Sequence, residues 1–190
     1  MNRNKIDILF IIKTIGLEYD DRIRKECTSL QRIGRNVFIL VIRDDNISEK
    51  GITSYNVPYV SLSLLTRKIF PHKRGLLVKT LEVYVKSLLY ILIIKPRITW
   101  IHNIEKTGLV PVLYVLKKLK YINKIVWDQH EMFPDQILSN KYAMGIIKYL
   151  HNLCDQIIVA NSERKEYLMN SFGQKNVTEI NVIANFPDRQ

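Results

Sequence analysis

The segment Ile6-Asp-Ile-Leu-Phe-Ile-Ile12 leads through a loop into Asp20-Asp-Arg-Ile-Arg-Lys-Glu-Cys-Thr-Ser-Leu-Gln-Arg-Ile33, and after Gly34 the chain continues as Val37-Phe-Ile-Leu-Val-Ile42. The outer pieces are almost continuously apolar. A strand buried on both faces of a parallel sheet reads that way, whereas a half-exposed strand alternates. The middle piece has helical periodicity, with Ile23, Cys27, Leu30 and Ile33 on one predicted buried stripe. Asp20 and Asp21 open it, where carboxylates meet the positive end of the helix dipole. Gly34 closes it, as a glycine just beyond a helix commonly does. The order predicts a strand–helix–strand unit.

The alternation continues. Strands are predicted at Tyr55–Val60, Ile98–His102, Lys124–Asp128, Gln156–Ala160 and Ile180–Ala184, and helices at Leu76–Ile94, Thr107–Leu119, Lys141–Leu153 and Ser162–Phe172. Pro58 places its strand near a sheet edge. Pro96 stops the long helix, Pro111 fits an early helical turn, and Ser162 is the expected N-cap of the last helix. Within Leu76–Ile94, Lys79, Glu82 and Lys86 share one face, read as a narrow exposed stripe on an otherwise apolar rod. Ser61–Gly75 reads as a loose basic connection. The sum is a single α/β domain over residues 1–190. It is Rossmann-like and doubly wound, with a mostly parallel sheet of about seven strands and helices on both faces.

The formal charge of +11 is concentrated. Between Ser61 and Ile125 thirteen basic residues face two acidic ones, and the rest of the chain balances at sixteen of each. A solvated basic face, an anionic membrane surface and nucleic acid are all consistent with such a stretch. Cys27 and Cys154 have no metal-ligand or disulfide-framework spacing and read as small buried thiols of a cytoplasmic chain. Ile6–Ile12 is too short for a leader's apolar core, and Leu76–Ile94 carries three charges, too many for a bilayer span.

Several motifs are missing. No G-x-G-x-x-G follows the first strand, so a dinucleotide's pyrophosphate has no glycine cradle. There is no Walker loop or nucleophile elbow. His130-Glu131 starts like a zinc-protease helix, but no second His follows and Pro134 intervenes; no metal site is read. The polar residues that remain gather at predicted strand ends, where open α/β sheets bind ligands. They are Lys13–Asp21, His102-Asn103 and Asp128–Glu131. Such a set could position a hydroxyl and accept its proton.

Asp20-Asp-Arg-Ile-Arg-Lys-Glu26, Leu30-Gln-Arg-Ile-Gly34, Trp100-Ile-His-Asn103, Trp127-Asp-Gln-His-Glu-Met-Phe-Pro134 and Cys154-Asp-Gln-Ile-Ile-Val-Ala-Asn-Ser162 occur in the order found in GT-B glycosyltransferases of the family-4 type. Glu179-Ile-Asn-Val-Ile-Ala-Asn-Phe-Pro-Asp188 resembles the end of that family's N-terminal domain, and Arg35 stands where the family often has His. The resemblance implies an acceptor-binding domain whose nucleotide-sugar donor, used without a required metal, binds a C-terminal domain or subunit absent from this chain. No cofactor is implied for the domain present, and the chain alone is expected to be inactive. His130 would lie near acceptor and reacting sugar as the catalytic residue. Asp128, Glu131, Asp21, Arg22, His102 and Asn103 are the implied substrate-side set, with helix capping, solvation and packing as their structural alternatives. Glu18 and Glu26 have the family's donor-site spacing but in the wrong domain, which marks it as chance.

The reading that follows is the acceptor half of a transferase that moves a sugar onto a glycan, lipid-linked in surface-polysaccharide assembly, at the inner face of the cell membrane. The basic region would lie on anionic lipid. The alternative is a non-enzymatic basic module for nucleic acid or a protein partner. No nucleic-acid-binding motif supports it.

Overall fold

The computed structural model describes residues 5–14, 16–43, 45–70, 75–102, 108–129, 133, 139–172 and 178–184. The chain divides into two compact units, Met1–Thr99 and Trp100–Gln190. Both are α/β.

In the first unit, β1 (Ile8–Lys13) pairs in parallel with β2 (Val37–Ile42), and β2 with β4 (Pro58–Leu62). A short β3 (Lys50–Ile52) adds antiparallel to β4, giving the order β3-β4-β2-β1. Ile8, Leu9, Phe10, Ile11 and Ile12 are all buried, as are Val37 and Ile39–Ile42. Side chains on both pleats of these strands leave water, each large one contributing about 1.5–3 kcal/mol. That is why the two runs show no alternation.

Helix α1 (Asp21–Arg32) connects β1 to β2. Asp20 caps it, its Oδ1 accepting from the Ile23 N–H at 3.2 Å. At the other end Gly34 takes φ +75°, and the N–H groups of Gly34 and Arg35 donate to the carbonyls of Gln31 and Leu30. This closes the last turn in a left-handed conformation suited to glycine. The buried face of α1 differs from the predicted stripe. Ile23 and Cys27 are buried, Leu30 is partly exposed and Ile33 is exposed, while Arg22 and Glu26 are buried. An ion pair at 3.1 Å joins those two, one turn apart, so the charges enter together.

Two further expectations are corrected. The predicted strand Tyr55–Val60 is displaced to Pro58–Leu62, and β3, which precedes it, brings the strands among the described residues to eight. Ser61–Gly75 is not a loose connection where it is described. Ser61 and Leu62 belong to β4, and Leu65–Ile69 form the short helix α2.

The long helix α3 has the predicted bounds, Leu76–Ile94, but its predicted face is inverted. Lys79 is only 8% exposed and Glu82 and Lys86 turn toward α2, whereas Leu77 and Ile93 are 86% and 76% exposed. Glu82 accepts from the backbone N–H groups of Leu65 and Thr66 at 2.7 and 2.8 Å, and Lys86 lies 2.7 Å from it. Gly75, at φ +64°, starts the helix beside Phe70; a Cβ there would sit 2.9 Å from the ring.

In the second unit the order is β5-β6-β7-β8, where β5 is Ile98–His102, β6 Lys124–Gln129, β7 Gln156–Val159 and β8 Glu179–Val182. β6 pairs in parallel with β7 and β7 with β8. The unit division falls inside β5, after Thr99. Helices α4 (Val110–Lys118), α5 (Lys141–Leu153) and α6 (Ser162–Phe172) alternate with these strands. Pro111 sits in the first turn of α4. The cap of α6 is Asn161, whose Oδ1 accepts from the Arg164 N–H at 2.9 Å, one residue before the expected Ser162. Asp155 links two elements by accepting from the Ile125 N–H at 2.8 Å and pairing with Lys117.

His151 is buried among aromatic rings, with Trp127 edge-on at 4.6 Å and Phe172 at 5.0 Å. Burial pushes its pKa down to about 3, and neither ring nitrogen has a hydrogen-bond partner among the described residues. The unfolded chain therefore binds a proton that the folded chain refuses. The stability contributed by neutral His151 is complete above its ordinary value of 6.5 and is lost as pH falls toward 3. Between pH 7 and pH 5 this amounts to about 2 kcal/mol. Urea melts at the two pH values should show a drop of that size in the parent chain and a smaller one in His151→Leu; equal drops would refute the assignment.

Candidate functional site

In the first unit, strand ends form a cleft. The chain leaves β1 through Thr14 and Gly16 and enters the single turn Leu17–Tyr19. These residues line an open cavity of about 230 Å³ with Arg43, which follows β2, and with Glu49, Tyr59 and Ser61 of the β3–β4 hairpin region. Tyr59 Oη donates to Glu49 at 2.8 Å, and Arg43 pairs with the same carboxylate at 3.2 Å. Arg43 also forks onto Asp45, and that hydrogen bond holds the Asp45 carboxyl below the usual carboxylate range and raises the guanidinium further. Burial, then the hydrogen bond to Glu49, pushes the Tyr59 hydroxyl up, so it remains a donor. Tyr19 stands 92% exposed at the mouth.

This set offers donors, acceptors and two amphipathic aromatic bodies within one cleft. A neutral polyhydroxyl ligand can use all three. A pyrophosphate would meet the carboxylates of Glu18 and Glu49 as well as Arg43.

Asp21 and Arg22 do not line the cleft. Asp21 is exposed and binds Arg24 at 2.7 Å and Lys25 at 3.2 Å, contacts that lower its pKa, Arg24 first. Arg22 is engaged with Glu26. Glu18 accepts hydrogen bonds from Ser54. Glu18 and Glu26 thus serve different local contacts.

In the second unit, the ends of β5 and β6 carry His102 and Asp128. Both are buried, with His102 Nδ1 3.4 Å from Asp128 Oδ2 and the Trp100 ring stacked over His102 at 6.3 Å. A carboxylate beside one ring nitrogen orients the imidazole and favours a proton there. Asp128 is 0% and His102 1% exposed, so neither side chain is open to solvent. Asn103, His130 and Glu131 lie outside the described residues.

Arg43 was legible by the same strand-end rule that selected Lys13–Asp21, because it directly follows the apolar run Val37–Ile42. Glu49 and Tyr59 were not, since their place depends on the hairpin.

No protein-family model and no curated protein matches the chain. Among solved structures it matches sucrose-phosphate synthase from Thermosynechococcus elongatus with a TM-score of 0.66 and 10% identity, over 94% of this chain and 48% of that one. The UDP-forming alpha,alpha-trehalose-phosphate synthase from Burkholderia vietnamiensis gives 0.62 and 10%, over 94% and 47%. Anabaena HepE, solved with UDP and glucose, gives 0.52 and 13%, over 96% and 45%. The chain spans about half the length of these proteins. The likeness is one of fold, shared with about half of each of those proteins.

The two strand-end sets should respond differently to substitution. Asp128→Ala removes a fully buried carboxylate from its imidazole and should cost about 3–5 kcal/mol in a urea melt. Tyr59→Phe, at the rim of an open cleft, should cost about 1 kcal/mol or less. An unchanged midpoint in Asp128→Ala would remove the pair from the support of the second unit.

Proposed function

We propose that this chain is the acceptor-binding half of a GT-B sugar transferase of the family-4 type. The observation that carries the transferase half of the reading is the fold match over 94% of the chain to synthases about twice its length, and the family-4 type rests on the ordered motifs from Asp20 to Ser162. The cleft of Thr14, Tyr19, Arg43, Glu49 and Tyr59 supports it, being suited to a hydroxyl-rich ligand rather than a dinucleotide. The donor, a nucleotide sugar, is assigned to a second domain or subunit.

The acceptor is a glycan, lipid-linked in surface-polysaccharide assembly, and the protein works at the inner face of the membrane. In the transfer, an acceptor oxygen bonds to the anomeric carbon of the donor sugar as the bond to the nucleoside diphosphate breaks. The acceptor's proton passes to a base. His130, which follows β6 directly in the sequence, is the residue assigned near that centre, with Glu131 and Asn103 on the substrate side. Asp128 and His102, buried at the ends of β6 and β5, are assigned to positioning in this reading. Asp21 and Arg22 are assigned to the start of α1.

His130→Ala in the complete two-domain protein should lower turnover about a hundredfold or more. The 190-residue chain carrying the same change should melt within a few degrees of the parent. Near-parent turnover would move the reacting centre elsewhere, and an unfolded variant would make His130 structural. The unmodified 190-residue chain should transfer no sugar from any nucleotide sugar; measurable turnover would overturn the division of labour.

A further inference from the structure

The inverted face of α3 leaves a row of apolar side chains exposed. Leu77, Leu81, Val85, Leu89 and Ile93 are all exposed, follow one another at four-residue steps and include no charge. The stripe runs about 24 Å along the helix. Leu65 and Ile69 of α2 are also exposed, at 64% and 69%. Contiguous apolar surface of this kind marks an interaction face in soluble proteins.

Charge selects the occupant. From residue 65 to residue 97 the chain has eight basic residues and one acidic residue. That one, Glu82, is engaged with α2 and Lys86. Lys68, Lys95 and Arg97 are exposed, Arg97 lying 3.8 Å from the Asp7 carboxylate. A second copy would bring the same positive surplus against itself, whereas an anionic headgroup layer neutralises it and accepts the apolar stripe. Among the described residues no helix is long and apolar enough to cross a membrane, so a helix of this kind would lie in the interface.

We propose that the apolar face of α3 and α2 docks in the plane of an anionic lipid bilayer, with Lys68, Lys95 and Arg97 beside the headgroups. The docking element is thus the hydrophobic face of a helix, with the basic residues as its border. This deepens the membrane side of the proposed function and rests on it. Vesicle binding needs no sugar transfer, however, so the two can fail separately. Transfer by the complete protein to a water-soluble acceptor, with no binding of this chain to vesicles, overturns the docking alone.

The test is co-sedimentation of the 190-residue chain with vesicles of phosphatidylcholine alone or mixed with phosphatidylglycerol. Binding should favour the mixed vesicles and weaken as salt rises. Leu81→Asp with Leu89→Asp should lower partitioning about tenfold or more on either vesicle. Lys68→Glu with Lys95→Glu should weaken binding to the anionic vesicles alone. A Val85→Trp variant should shift its emission to the blue with mixed vesicles and be quenched by brominated lipid, a readout independent of how the double variants fold. Equal binding to both vesicles, binding to neither, or a Val85→Trp emission indifferent to lipid overturns the proposal. So does a dimer dissolved by Leu89→Asp, or displacement from the vesicles by an oligonucleotide that binds more tightly.

Discussion

The carboxylate of Glu82 determines which way the longest helix faces. It accepts two backbone N–H groups at the start of α2 and the Thr66 hydroxyl at 2.6 Å, and it pairs with Lys86. Burial alone would raise its pKa; Lys86, Thr66 and the two N–H groups together pull it down to about 2. A short helix such as α2 leaves its first N–H groups without intrahelical partners, and an anion is the favoured ligand for them. Once Glu82 fills that role, α3 cannot rotate its charged stripe to water without abandoning α2. The apolar stripe is outside because the polar one has work inside.

The same economy shapes the strand ends. Apolar strands such as β1 and β2 offer no interior place for polar side chains, so these collect where the strands stop. In the first unit that gathering is an open cleft with a tyrosine hydroxyl and an arginine shared by one carboxylate. In the second it is a buried imidazole and carboxylate under a tryptophan. The first arrangement has exposed groups that a ligand can reach. In the second, the two described residues, His102 and Asp128, are closed to solvent.

Much of the architecture was legible in the sequence because strands buried on both faces and capped helices leave local marks. The first strand within Ile6–Ile12, the carboxylates at the start of α1, the turn at Gly34 and both ends of α3 followed from residue type and period alone. The misreadings share a cause. Periodicity shows that Lys79, Glu82 and Lys86 lie on one stripe, but not whether that stripe meets solvent or a neighbouring helix N-terminus. Likewise Arg22 and Glu26 look like surface residues until their 3.1 Å pairing shows how they are buried. Glu49 and Tyr59 reach the cleft through the pairing of β3 with β4, and β3, at three residues, is too short to announce itself. At the candidate site, local rules found the strand ends and missed the residues delivered by a hairpin.

The orientation of α3 also changes the meaning of the positive charge. As a sequence, the basic excess could be a solvated face and the leucines of α3 a buried core, two features with no bearing on each other. With the leucines exposed, they belong to one surface. Charge alone attracts any polyanion, including a nucleic acid, and falls with salt. Apolar area alone attracts any apolar partner. A 24 Å stripe without charge, in a region with eight basic residues and one engaged acid, combines the two requirements of an interfacial helix. A phosphodiester backbone has no use for the stripe, and a like-charged copy has no use for the lysines, so the combination discriminates where neither part does.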